Sequence, residues 1–176
     1  MTDQHHREGS AAAGYSLVAE QLRAVFEANR TELQLKVGDP PTSIAFSHVA
    51  GDGTELRKTL TFSPDRYDVG VDIKVRNLSA EDRSVQPRLA WGPGLRNSHD
   101  PKLTTLQPPT LWLADKRHQE DMEKVTGEKI LDGKAAWAAL QDQYFAAAFL
   151  PMAEGIKAFV AKGSANQPLI GLTLPA

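Results

Sequence analysis

The chain has 176 residues, with 20 basic and 22 acidic side chains and a formal net charge of −2, a size that suits one domain with a real core. No basic excess exists to hold a polyanion, so nucleic acid is not an expected partner. With no cysteine in the sequence, disulfides, thiolate metal sites and thiol catalysis are excluded too.

Residues 1–14 are polar and then small, and they read as a disordered lead to a single domain over residues 15–176. They lack the apolar core of a signal peptide. No apolar stretch anywhere approaches the roughly 18 residues of a membrane-spanning helix. The sequence as given therefore reads as soluble, which still allows a domain taken from a longer, anchored protein. In the segment Tyr15 to Asn29, the residues Leu17, Val18, Leu22, Val25 and Phe26 recur at helical spacing, so periodicity alone predicts a short helix there.

From Thr31 the period shifts to two. Leu33, Leu35 and Val37 alternate with Gln34 and Lys36 until Gly38-Asp39-Pro40-Pro41 ends the run. A second apolar run, Ile44 to Val49, leads into an Asp52-Gly53 turn signal and then a run in which Leu56, Lys58, Leu60 and Phe62 share one face, which predicts a β-hairpin. After a turn at Ser63-Pro64-Asp65-Arg66, the residues Tyr67, Val69, Val71, Ile73 and Val75 alternate with polar or small ones. That pattern predicts a strand with one buried face.

Val85 to Trp91 is a further candidate strand. Gly92 to Pro109 reads as a loop, with prolines at 93, 101, 108 and 109, and a long ordered loop is a place to look for a docking function. Thr110 to Ala114 is a candidate strand. Asp115 to Lys129 is strongly charged without a clear period. Ala135 to Leu150 is rich in alanine and carries Trp137, Leu140, Tyr144 and Ala148 as a helical stripe, so propensity predicts a helix. Lys157 to Val160 and Leu169 to Leu174 read as short closing strands.

Two blocks of this sequence resemble the periplasmic domain of YidC-type membrane protein insertases. The first runs from Glu32 to about Trp91: Glu32-Leu33-Gln34-Leu35, a short strand, a Gly-containing turn, a strand ending in Leu60-Thr61-Phe62, then Asp65-Arg66-Tyr67 and the alternating strand ending at Arg76-Asn77. The second is the order Trp137, Tyr144-Phe145, Phe149 and Leu150-Pro151 in an alanine-rich setting. The resemblance implies an all-β fold, a β-supersandwich of antiparallel sheets similar to galactose mutarotase, with little helix. It reassigns Tyr15 to Asn29 to loop and strand, and Trp137 to Leu150 to strands with a tight connection, since tertiary context overrides propensity.

What the resemblance implies for function is a non-catalytic periplasmic domain at the inner membrane. It would act as a scaffold or docking surface for the Sec translocon and its accessory subunits, without a cofactor. Nascent membrane proteins would be handled by membrane helices that this sequence, ending at Pro175-Ala176, does not contain; against the family it reads as truncated at its C-terminal end. Trp137, Tyr144, Phe145, Phe149 and Pro151 are the motif residues, and they are expected to pack the core and the tight connection.

Other readings of the residues are weaker. Mutarotase-like enzymes use a His and a carboxylate on a sugar ring, but His48, His99 and His118 are scattered outside any such motif, and fold likeness alone supplies no function. A carbohydrate-binding domain is the alternative, with Trp91, Trp112 and Trp137 as possible reporters of sugar. Asp115 to Asp121 reads as a solvated surface stretch rather than a metal cluster. The sequons Asn29-Arg30-Thr31 and Asn77-Leu78-Ser79 carry no weight without a glycosylation pathway. A plain β-rich envelope interaction domain is the third reading.

Overall fold

The computed structural model describes residues 24–92, 94–95, 107–163 and 167–175. The lead at residues 1–14, residues 15–23 and most of the proline-rich loop lie outside the described residues. Twelve strands form three antiparallel four-stranded sheets, and no helix occurs among the described residues. The fold is therefore all-β. The chain divides into two compact units, one up to Val85 and one from Gln86 onward.

The first unit is one sheet in the order β1-β2-β3-β4, built from Glu27–Ala28, Thr42–Val49, Thr54–Phe62 and Val69–Asn77. The predicted hairpin is β2 and β3, paired without a break from Thr42 opposite Phe62 to Val49 opposite Glu55. Gly53 sits at φ +85° in its turn, a conformation that favours glycine. The Thr54 amide donates to Asp52 Oδ1 at 2.9 Å, and this bond, ahead of a Thr54 side-chain bond and nearby Arg83, holds the Asp52 carboxyl below its usual range.

Directly opposite residues share a face. One face therefore collects Ile44, Phe46, Leu56, Leu60, Phe62, Val69, Val71, Ile73 and Val75. The opposite face carries Thr59, Thr61, Asp72, Lys74 and Arg76. Lys58 shares the apolar face with Thr42 and His48 as a polar residue, and its Nζ lies 5.5 Å from the Phe26 ring centre and 5.6 Å from that of Phe46. This geometry lets an ammonium sit on an apolar surface.

Two expectations need correction in this unit. The alternation of Leu33, Leu35 and Val37 forms no strand. Its end is closed locally by Asp39, whose amide donates to Lys36 O at 3.0 Å while its Oδ2 accepts from the Lys36 amide at 2.8 Å. Strand pairing needs a partner as well as a period, and this segment has none among the described residues. The alternating strand starts at Val69 rather than Tyr67: Tyr67 is fully exposed, held between Arg66 and Asp68, which pair at 2.7 Å. At residues 27–28 the reassignment to strand is realised as β1, and Asn29 pins it by accepting from the Ala45 amide at 2.9 Å.

The second unit has two sheets. One has the order β10-β9-β6-β7, from Ala146–Phe149, Ala135–Gln141, Thr110–Leu113 and Lys116–Gln119; the other has the order β5-β12-β11-β8, from Arg88–Trp91, Pro168–Thr173, Lys157–Lys162 and Glu128–Leu131. The residues predicted as an alanine helix are thus the β9–β10 hairpin, as the resemblance implied. The charged stretch at residues 115–129 supplies β7 and the start of β8, which its irregular period concealed.

The core lies between these two sheets. Leu111, Leu113, Ala138 and Leu140 from one meet Leu131, Ala158, Val160, Ile170 and Leu172 from the other. The central strands β6, β9, β11 and β12 give alternate residues to it apart from the bulge at Ala136, as a two-layer sandwich requires. On the far side of the second sheet, Phe159 lies opposite Gly171 and is only 1% exposed. Its ring rests on the glycine backbone: a Cβ at Gly171 would stand 2.3 Å from Phe159 Cζ and 2.7 Å from the Leu89 carbonyl oxygen. The Arg88 guanidinium covers the ring at 5.3 Å and is held by Glu128 at 2.6 Å.

Gly171→Ala is expected to destabilise the chain by about 1–3 kcal/mol through overpacking, measured as a lowered urea midpoint with unchanged slope. Leu140→Ala, which empties a fully buried position, is expected to cost about 2–5 kcal/mol in the same assay.

Candidate interaction surface

The sheet β10-β9-β6-β7 turns one face to the core. On the other face the register sets Trp112 of β6 opposite Trp137 of β9. The two indoles stack with ring centres 6.4 Å apart and planes inclined by 27°. Such a pair contributes about 0.5–1.5 kcal/mol beyond its buried area. A register shift follows between Trp112 and Leu113, where Leu113 pairs with Ala135, so Ala136 is the extra residue of a bulge beyond the tryptophan pair.

Alanines form the floor beside the pair. Ala139 of β9 lies opposite Thr110 on one side and Ala148 of β10 on the other. On this face Ala139 and Thr110 are buried, while Trp112 stays 37% exposed. Arg117 and Gln119 of β7 lie opposite Trp112 and Thr110 and edge the face with polar groups. Arg117 Nη2 donates to Gln119 Oε1 at 3.2 Å. Apolar residues with a polar rim are the usual makeup of a protein contact surface.

The β9–β10 connection spans residues 142–145 and is organised by Asp142. Its Oδ1 accepts from the backbone amides of Tyr144 and Phe145, each at 2.7 Å, and its own amide donates to Phe145 O at 2.8 Å. A short acidic side chain that bonds the following amides sets such turns. The turn holds Tyr144 and Phe145 at the tip of the hairpin, 69% and 58% exposed.

The motif residues thus fall into separate places. Trp137 lies on the outer face with Trp112. Tyr144 and Phe145 are at the hairpin tip. Phe149 lies opposite Ala138 and packs against the core. Pro151 is half-buried just beyond β10, flanked by the exposed Leu150 and Met152. Trp112 was missed as part of this surface. It is 25 residues from Trp137 in sequence, and only cross-strand register joins them.

The histidines have separate surroundings. His48 Nδ1 is 2.9 Å from the Val25 carbonyl oxygen, with its ring against Phe26. His118 is exposed on β7 in the other unit, and His99 lies outside the described residues. Among the described residues no three His, Asp or Glu side chains gather as a metal site would require. In the charged stretch, Glu120 pairs with Lys129 at 2.8 Å. The Asp121 carboxyl is held low by its hydrogen bond with Lys124, then by the Glu123 amide.

A family model of the YidC periplasmic domain matches residues 3–175. Among curated proteins, the Membrane protein insertase YidC of Shewanella sp. strain ANA-3 is 30% identical over 141 residues, covering 74% of this chain and 25% of that protein. The protein of the same name from Nitrosomonas europaea is 26% identical over 160 residues, covering 85% of this chain and 26% of its own length. The one from Shewanella loihica is 28% identical over 134 residues, with 74% and 25% covered. The chain spans about a quarter of the length of these relatives.

Asp142→Ala is expected to lose the two turn hydrogen bonds and about 1–2 kcal/mol, seen as faster amide exchange at Tyr144 and Phe145 before global unfolding.

Proposed function

The chain belongs to the YidC periplasmic domain family, and from that premise we propose that it is a non-catalytic docking domain of a membrane protein insertase. It stands on the periplasmic face of the inner membrane and offers a surface to the Sec translocon or its accessory subunits. Insertion itself is carried by the remainder of the parent protein, the three quarters of the relatives' length that this chain does not match. No helix among the described residues is long and apolar enough to cross a membrane, in keeping with a domain held outside the bilayer.

The observation that supports this reading most directly is the outer face of the β9–β10 sheet. Trp112 is a large aromatic left 37% exposed on a central strand paired on both sides, and exposed aromatics on well-held elements are what contact energy concentrates on. A rigid platform loses little entropy on binding.

Two experiments follow. Removing the span that matches this chain from the parent insertase is expected to lower insertion of a test membrane protein only mildly and to lower co-purification of the translocon more. A complete loss of insertion would overturn the docking role. Replacing Trp112 and Trp137 together with alanine, with folding checked by circular dichroism, is expected to reduce translocon co-purification severalfold, as loss of aromatic anchors does. Unchanged co-purification would remove this face from the proposal.

A further inference from the structure

Among the described residues β4 is an edge: β3 pairs with one side of it and no strand with the other. It is also the longest edge strand among the described residues. Its nine residues compare with two in β1 and four in each of β5, β7, β8 and β10. Proteins usually blunt such edges with proline, a bulge, brevity or charged side chains. β4 has no proline and no bulge, its register with β3 running from Val69 to Asn77 without a shift, and Val69 and Val71 are each 42% exposed; its charges, Asp72, Lys74 and Arg76, guard it only against a partner that does not match them.

We propose that β4 pairs antiparallel with β4 of a second copy of this chain, joining two four-stranded sheets into one of eight. Continuity of both faces requires odd residues to meet odd residues. A two-fold axis through Ile73 is the register that uses all nine positions. It sets Val71 opposite Val75, Val69 opposite Asn77 and Ile73 opposite itself, extending the apolar face. It also sets Asp72 opposite Lys74, twice. Moving the axis to residue 72 or 74 would place two aspartates or two lysines face to face.

The charges of the isolated sheet point the same way. Lys74 lies directly opposite Arg57 of β3, a like-charge pair that costs stability. The nearest relief within β4 is Asp72, at 3.9 Å along the same strand. In the paired sheet the second copy's carboxylate at position 72 flanks Lys74 on its open side, so each chain supplies what the other lacks.

The test is sedimentation equilibrium of the full 176-residue chain and its variants. The wild type is expected to show a concentration-dependent dimer. D72K and K74D, each turning two attractive contacts repulsive, are expected to weaken it by about tenfold, and the D72K/K74D double swap to restore it. Because the chain has no cysteine, I73C gives an independent readout. Mild oxidation should cross-link it to itself, whereas M152C, exposed in the other unit, should not. A chain that stays monomeric up to about 1 mM, the weak end of specific association, overturns the proposal. So does a dimer insensitive to both charge reversals, or equal cross-linking of I73C and M152C.

Discussion

Side-chain alternation on β9, β11 and β12 governs the organisation of residues 107–175. Ala138 and Leu140 point to one side and Trp137 and Ala139 to the other; Ala158 and Val160 point inward and Phe159 outward; Ile170 and Leu172 point inward and Gly171 outward. Every inward residue is apolar, so the two sheets can exclude water between them at little polar cost. A one-residue slip in any of these strands would exchange core and surface sets together. The outer features described above, the tryptophan pair and the covered phenylalanine, depend on that register being held.

The two units solve burial differently. The second closes a core between layers, with Leu111, Leu140, Val160 and Ile170 fully buried. The first is a single layer, and Ala45 is its one fully buried hydrophobic residue among those described. Its stability rests more on uninterrupted backbone pairing across β2, β3 and β4, and on cross-strand contacts such as Lys58 with Phe26 and Phe46. A layer of this kind tolerates change on its surface but not loss of register.

Much of this was legible in the residues. The hairpin of β2 and β3 and the body of β4 follow from period two and an Asp-Gly turn, because both signals are local. The Ala135 to Leu150 segment was legible only through the family motif. Alanine favours helix by intrinsic propensity, but here Ala138 is buried between the sheets and Ala139 lies on the outer face beside the tryptophan pair, so packing overrules propensity. The alternation at Leu33 to Val37 misled for the converse reason: the pattern was present without a partner strand among the described residues. Strand β7 was hidden because its residues, Lys116 to Gln119, are exposed throughout and leave no apolar signature. The Trp112–Trp137 contact was out of reach, since it depends on the pairing register of two strands distant in sequence, which no local rule places.

The enclosure of Phe159 has a dynamic consequence. Its ring is confined below by the Gly171 backbone and above by the Arg88–Glu128 pair, so rotation about the Cβ–Cγ axis needs the two strands beneath it and the ion pair above it to yield together. In a close-packed interior such rotation waits on transient local expansion. The exchange rate of the two symmetry-related edges of this one ring is therefore an internal clock for the breathing of the β11–β12 sheet.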